Sequence, residues 1–304
     1  MGGETGMVSI DDVSVSLAES DAWLSFGGLS WSYETTSGDE PWFANNEKQG
    51  YDANHVSVNN NGELEISLTK EIGISGNTTY KSSRIISYSD DSNPVLKLEQ
   101  GKKLSVEFEA KMPKAFNSDG NEIMTNVPLW PALWMMGSGI WNDTTNQSWP
   151  YCGEIDIMEW SSSSSKGVNN YSHAIHYNDG INYNNQYLSG SYDANKNLTT
   201  EYHRYKTTIN HPNNGSATIN MYFDDIPVGS YLLDEDKYNE LYQTVNKSGE
   251  IVDTSKHYGL IMNIALAGSY TGFNGDINEF ESQYPVFDNA IMYVKSIDIS
   301  SENI

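Results

Sequence analysis

The sequence predicts an all-β fold, a sandwich or jelly roll of short strands, and three observations carry that reading. Segments in which apolar and polar residues alternate with the two-residue period of a half-buried sheet recur along the chain. Leu64-Glu65-Ile66-Ser67-Leu68 and Leu104-Ser105-Val106-Glu107-Phe108 are the clearest. Turn chemistry separates them, at Asn61-Gly62, Gln100-Gly101, Asp119-Gly120, Asn214-Gly215 and Asp225 ahead of Ile226-Pro227. The 304 residues include 8 Trp, 20 Tyr and 8 Phe, too many rings for a disordered chain and enough to fill a large core without staples.

In chain order, the expected strands begin with 63–68, entered from Asn61-Gly62. The segment 104–111 follows, entered from Gln100-Gly101. Next come 154–159, 203–209 and 217–223, the last two separated by Asn214-Gly215, and then 259–265 and 290–299. The stretch 234–245 predicts a short surface helix, with Tyr238, Leu241 and Tyr242 on one side. The serine run 161–165 and the Asn-rich stretches 45–46, 59–61 and 182–185 read as exposed, wet loops. No linker divides the chain, so the expectation is one domain over 1–304, with its core at roughly 31–299. Residues 1–6 stand outside the core, and Met1-Gly2-Gly3 reads as a scar on a trimmed chain.

Composition narrows the function. The formal net charge of −24 repels phosphate backbones and anionic membranes, which excludes nucleic acid as a partner and favours a neutral one. No apolar run reaches the ~18 residues of a membrane span. One cysteine, Cys152, rules out an internal disulfide and a Cys-rich metal site, and reads as a small buried residue. The expected state is a monomer.

The most informative segment is Gly153-Glu154-Ile155-Asp156-Ile157-Met158-Glu159-Trp160. A regular strand puts Glu154 and Asp156 on one face but turns Glu159, five residues on, into the core, where an isolated carboxylate is costly. One extra residue, a β-bulge at Ile157-Met158, returns Glu159 to the face of the other two. Three charges so close together force at least one pKa upward. A pair of carboxylates with split proton affinities is what glycoside hydrolysis needs, one as ionised nucleophile and one as protonated acid. A solvated edge strand and a cation site are the alternatives. Five tryptophans, Trp130, Trp134, Trp141, Trp149 and Trp160, fall in the same region and favour a sugar-binding cleft, because pyranose faces stack on aromatic rings.

Glu154-Ile155-Asp156-Ile157-Met158-Glu159 resembles the active-site signature of family-16 glycoside hydrolases. Leu129-Trp130-Pro131-Ala132-Leu133-Trp134-Met135-Met136-Gly137 is similar to the strand preceding it in the laminarinase-like, endo-β-1,3-glucanase branch. Weaker likenesses at Trp31-Ser32-Tyr33-Glu34, Asn45-Asn46-Glu47, Ser83-Arg84-Ile85, 258–268 and 292–294 extend it over roughly 31–299. The resemblance implies a jelly-roll sandwich of two curved antiparallel sheets whose concave face is a groove for a linear polysaccharide. It implies Glu154 as nucleophile, Glu159 as acid and then base, and Asp156 between them tuning Glu154. Retention of configuration places the two glutamates ~5–5.5 Å apart. It further implies substrate contacts from Asn45 and Arg84 on the glycone side, from Trp130 and Trp134, and from His176. For Arg84 a structural ion pair, for the tryptophans a core position and for His176 a plain surface site are the other readings. No redox or organic cofactor is expected. The family's frequent calcium ligand falls on Lys295, so no metal is expected either. The enzyme is expected to be secreted or held at the cell surface.

Departures bear on the polymer. Thr208 and Ile209 stand where laminarinase-like chains carry a Glu-Trp pair, and Tyr270 where they often carry tryptophan, which alters the expected ring inventory of the groove. The stretches 116–127 and 168–192 read as polar insertions shaping subsites, with Tyr183, Tyr187 and Tyr192 walling one end. The leading expectation is a retaining endo-hydrolase of β-1,3-glucan or mixed-linkage glucan. The alternatives are the same chemistry on a galactose-containing glycan, a transglycosylase, and a non-catalytic carbohydrate-binding jelly roll.

Overall fold

The structure, a computed structural model, describes residues 24–42, 44–88, 96–123, 126–141, 149–163, 167–178, 185–234, 239–246 and 250–304. The strands are β1 (Leu24–Phe26), β2 (Leu29–Glu34), β3 (Gly50–Tyr51), β4 (Val56–Val58), β5 (Leu64–Ile72), β6 (Thr78–Ser82) and β7 (Arg84–Tyr88). They continue with β8 (Lys97–Leu98), β9 (Lys102–Phe116), β10 (Leu129–Gly137), β11 (Glu154–Trp160), β12 (Asn170–Asn178), β13 (Asn185–Asp193) and β14 (His203–His211). The last are β15 (Ala217–Phe223), β16 (Ile226–Leu233), β17 (Thr244–Val245), β18 (Ile251–Asp253), β19 (Lys256–Leu266) and β20 (Asn289–Asn303), with one α-helix among the described residues, α1 (Ile277–Gln283).

Two large sheets result. Sheet A runs β1-β2-β7-β19-β10-β11-β12-β13, with β8 on the start of β19. Sheet B runs β16-β15-β14-β9-β20-β5-β6-β3, with β4 on β5. The long neighbours pair antiparallel, while the two-residue β3 runs parallel to β6. The architecture is therefore the expected all-β jelly-roll sandwich. Alternation explains each layer: Leu64, Ile66 and Leu68 of β5, Leu104, Val106 and Phe108 of β9, and Ile219, Met221 and Phe223 of β15 all point inward. They meet Leu133 and Met135 of β10, Ile155 of β11, and Leu260, Met262 and Ile264 of β19. Burying each such side chain stabilises by about 1.5–3 kcal/mol, so the register of the central strands is strongly held.

Sheet A has a second packed surface on its other face. Ile86, Ala132, Trp134, Met136, Cys152 and Ile261 form a small cluster there, joined by half-buried Ile140, Trp141 and Trp149. This open face carries the site. Cys152 is buried in that cluster, where burial pushes its thiol up to about 12, in keeping with a packing role.

Three expectations are corrected. Among the described residues, 239–245 do not form the expected helix: a 3-10 turn at Asn239–Leu241 leads into β17, while 235–238, with Tyr238, lie outside the described residues. The true helix is α1, capped by the Asp276 carboxylate accepting from Glu279 N–H and seated by Phe280 against Tyr80 and Phe287. The stretch 168–192 is mostly sheet rather than loop, because β12 and β13 pair along nine residues each and extend sheet A. Of its tyrosines, Tyr183 lies outside the described residues and Tyr192 packs toward the core on Tyr171 and Phe223. Tyr187 faces the site, beside His176.

Candidate active site

The bulge is where the core requires it. On β12, Ala174 pairs with Asp156 and Ser172 with Glu159, so three steps along β11 match two along β12. On β10 the shift falls between Leu133, paired with Met158, and Trp134, paired with Asp156. Ile157 and Met158 therefore both enter the core, and Glu154, Asp156 and Glu159 share the open face.

Cross-strand register then dictates the surroundings of each acid. One row across sheet A reads Glu34, Arg84, Asn263, Ala132, Glu159, Ser172. The next reads Ile86, Ile261, Trp134, Asp156, Ala174. A third reads Met136, Glu154, His176, Tyr187. The direct neighbours of Glu159 are the small Ala132 and Ser172, whereas Asp156 lies between Trp134 and Ala174. His176 lies directly across from Glu154 and bends over the acids: its Nε2 is 3.3 Å from Asp156 Oδ2 and 3.8 Å from Glu154 Oε1. Its ring sits between Trp149 and Tyr187, with centroids 6.0 and 5.7 Å away, and its Nδ1 meets Asn185 Oδ1 at 3.2 Å.

At the other end of the row, Trp130 donates its indole N–H to Glu159 Oε1 at 3.0 Å and stacks on Tyr270 with ring centroids 4.9 Å apart. The Tyr270 hydroxyl is 3.0 Å from the Glu159 carbonyl, to which it donates, and 3.1 Å from Ser172 Oγ. The Asn45 loop closes this corner. Gly268 holds a positive φ of 91°, and a Cβ there would lie 2.9 Å from Asn45 O and 3.3 Å from the Trp130 ring.

The electrostatics separate the two glutamates. Burial first and the Asp156 charge second push Glu154 up to about 8, opposed by His176, by Arg84 and by a hydrogen bond from Trp149. Burial and Asp156 also hold Glu159 well above the ordinary carboxylate range, and its relief comes mainly from the Trp130 hydrogen bond. His176 is lowered by burial, but its hydrogen bond to Asp156 and the charges of Asp156 and Glu154 outweigh that and raise it to about 9. Glu154 and Glu159 do not titrate independently of their neighbours. Glu154, with two cations near it, gives up its proton before Glu159.

The remaining predicted residues are placed as follows. Arg84 is an ion-pair residue, bound to Glu34, and its guanidinium lies over Trp42 at 4.8 Å and over Trp134 at 4.7 Å. Trp134 is on the expected face but only 7% exposed, covered by Arg84 and bound through its N–H to Asn263 Oδ1. It is a floor residue and not a free stacking surface. Asn45 holds φ at 56° and donates to Glu47 Oε1 at 3.4 Å, on the Trp130 side. Trp160 does not join the cluster of tryptophans; it is buried between the sheets. Thr208 and Ile209 are nowhere near the open face, since β14 belongs to sheet B, and Ile209 fills the core. Tyr270, by contrast, touches the site. Lys295 pairs with Glu109 on sheet B.

Sequence reasoning missed a buried relay behind the floor. Glu47 accepts from Gln49 at 2.7 Å and from the Tyr51 hydroxyl at 3.2 Å; Asn263 donates to Tyr51 and accepts from Trp134. Burial raises the Glu47 pKa. The signal was available: Asn263 is the lone polar residue in Leu260-Ile261-Met262-Asn263-Ile264-Ala265-Leu266.

No family model and no curated protein sequence matches the chain. Solved structures do. The endo-1,3-beta-glucanase from Streptomyces sioyaensis matches with a TM-score of 0.62 at 20% identity, over 90% of either chain. The laminarinase catalytic domain from Thermotoga maritima MSB8 matches with a TM-score of 0.58 at 20% identity, over 90% of this chain and 92% of that one. LamA from Z. galactanivorans, in complex with laminaritriose and laminaritetraose, matches with a TM-score of 0.59 at 23% identity, over 88% of this chain and 91% of that one. At these identities the likeness establishes a shared fold, spanning nearly the whole of each chain.

Proposed function

We propose that the protein is a retaining endo-acting glycoside hydrolase that cleaves internal linkages of a β-1,3-linked glucan. The observation that carries this reading is the carboxylate row on β11, three acids brought onto the open face of one sheet, with both glutamates held above the ordinary carboxylate range and Glu154 the more relieved by nearby cations. The fold shared with laminarinases supports it.

Glu159 keeps its proton longest and donates it to the departing glycosidic oxygen. Glu154 attacks the anomeric carbon, forming a glycosyl ester as the C–O bond to the leaving sugar breaks. Glu159, now ionised, takes a proton from water, whose oxygen displaces Glu154 and restores the original configuration. Asp156 holds His176 over the nucleophile, and the histidine's charge favours ionised Glu154. Trp130 fixes the Glu159 carboxyl through its N–H. Exposed Tyr187 and half-buried Trp149 and Trp130 offer rings to a sugar chain. The galactose-containing alternative loses most of its basis, because Thr208 and Ile209 do not reach the open face. Tyr270 alone remains as a site difference. The enzyme works outside the cell, as one domain and as a monomer.

The test is product analysis on laminarin, mixed-linkage glucan, an agarose-type galactan and a mucin-type glycan. Oligosaccharide ladders from laminarin whose new reducing ends first appear as the β-anomer are expected, and Glu154→Gln abolishes them. Inverted products, or silence on both glucans with cleavage of a galactose-containing glycan, would overturn the reading.

A further inference from the structure

We propose that Glu154, Asp156 and His176 together form a binding site for a divalent transition ion of the zinc type. The inference concerns these side chains alone and does not depend on the reaction assigned above. Each residue offers one ligand atom, and the three atoms lie within 4.8 Å of one another. The two separations from His176 Nε2, 3.3 Å to Asp156 and 3.8 Å to Glu154, bracket the donor spacing of a tetrahedral ion. With ligand bonds of about 2.0–2.2 Å that spacing is about 3.3–3.6 Å.

The backbone fixes this arrangement. Glu154 and Asp156 stand two residues apart on one face of β11, and His176 is the direct cross-strand partner of Glu154. The imidazole is held as metal-binding imidazoles are held. Its Nδ1 meets the side-chain carbonyl oxygen of Asn185, which only accepts, so Nδ1–H donates there, and Nε2, whose proton is bonded to Asp156, faces the two carboxylates and releases that proton when an ion takes its place. Trp149 and Tyr187 flank the ring. One nitrogen and two carboxylate oxygens suit Zn²⁺ or Co²⁺. Mg²⁺ and Ca²⁺ demand six or more oxygens, which this corner does not supply. The side chains of His176, Glu154 and Asp156 are 21%, 14% and 7% exposed, so the three lie at the open face without being free in solvent. An ion seated there would occupy the carboxylate proposed as nucleophile, so it would act as an inhibitor competing with the glucan.

Cobalt titration of the purified full chain, followed by visible absorption, tests the proposal without reference to activity. One equivalent of Co²⁺ is expected to bind saturably with the d–d bands of four-coordinate cobalt, to be displaced by Zn²⁺ and to be untouched by Mg²⁺. His176→Gln should abolish the spectrum. Asn185→Ala, which frees the ring but removes no ligand, should weaken binding about 10–100-fold. Thermal melts of both variants show whether they are folded, and Glu154→Gln serves as the ligand deletion should His176→Gln fail to fold. Absence of saturable Co²⁺ binding by the wild-type chain, or binding undiminished in a folded ligand variant, would overturn the proposal. In parallel, Zn²⁺ should inhibit laminarin cleavage at the concentration that displaces cobalt. A chain that binds cobalt but cleaves no glucan would leave the metal site standing and remove the assigned reaction. A chain that cleaves glucan but binds no cobalt would do the reverse.

Discussion

Glu154 and Glu159 are chemically identical, and their surroundings assign them different work. Glu159 is relieved mainly by one neutral donor, Trp130, and last by His176, whereas Glu154 is opposed in its burial first by His176 and then by Arg84. If Glu159 supplies the proton, its removal should matter in proportion to how badly the leaving group needs one. Glu159→Ala is expected to lower kcat on laminarin about 10²–10⁴-fold. On a dinitrophenyl glycoside, whose phenolate departs unprotonated, the loss should be far smaller. Equal losses on both substrates would take Glu159 out of the acid's role. The raised pKa of Glu154 also makes a stability prediction. Its folded value of about 8 lies above the ordinary 4.5, so the fold favours the protonated form. That contribution is fully present below 4.5 and is lost as pH rises through 8. Glu154→Gln removes the charge and therefore the loss. Its melting temperature should exceed the wild type's at pH 8.5 by at least about 2 °C, the equivalent of roughly 1 kcal/mol or less, with the gap closing toward pH 4. A gap that does not depend on pH would mean that packing, and not the buried charge, separates the two proteins.

At the scale of the element, the bulge in β11 converts an ordinary strand into a row of three acids, and it was legible in the sequence for a physical reason. Without it Glu159 enters the core, and Ile157 and Met158 could not both do so. Deleting Met158 should therefore abolish activity and lower the melting temperature by more than Glu159→Gln does. Adding Glu159→Leu to the deletion should recover stability and leave activity at zero. Recovery of activity in the deletion, or no thermal rescue by the added leucine, would show that the register shift does not place Glu159. Other elements were less legible. Period-two alternation says which residues of β14 point inward but not which sheet β14 joins, so Thr208 and Ile209 were assigned to the wrong surface. The bulge that brings Glu159 to the open face also turns Trp160 inward, which takes that ring out of the cleft. The seven residues of α1 are too few for a periodic signal, and only the Asp276 cap and Phe280 mark it. The strand at 170–178 was signalled only by the family likeness at His176, and 185–193, at the end of sheet A, is polar and exposed at alternate positions, which reads as loop.

For the whole molecule, the net charge of −24 surrounds a site that is itself a cluster of acids. A neutral glucan feels no net force from that field, so its encounter with the enzyme should be indifferent to salt. A polyanionic glycan is repelled until counterions screen the charges, with a Debye length of about 10 Å at 0.1 M salt. Two substrates of the same backbone separate these cases. For laminarin, kcat/KM is expected to change less than about twofold between low and high salt, whereas for its carboxymethylated derivative it should begin lower and climb with ionic strength. The cations nearest the acids do not alter the sign. Arg84 is committed to Glu34 and covered by Trp42 and Trp134, and His176 is committed to Asp156, so neither is presented as a free anchor for an anionic sugar. A carboxymethylated glucan cleaved as well as laminarin at low salt would mean that these two cations, and not the surrounding field, set the potential the substrate meets. The choice of polymer would then have to be sought in their pairing rather than in the overall charge of the chain.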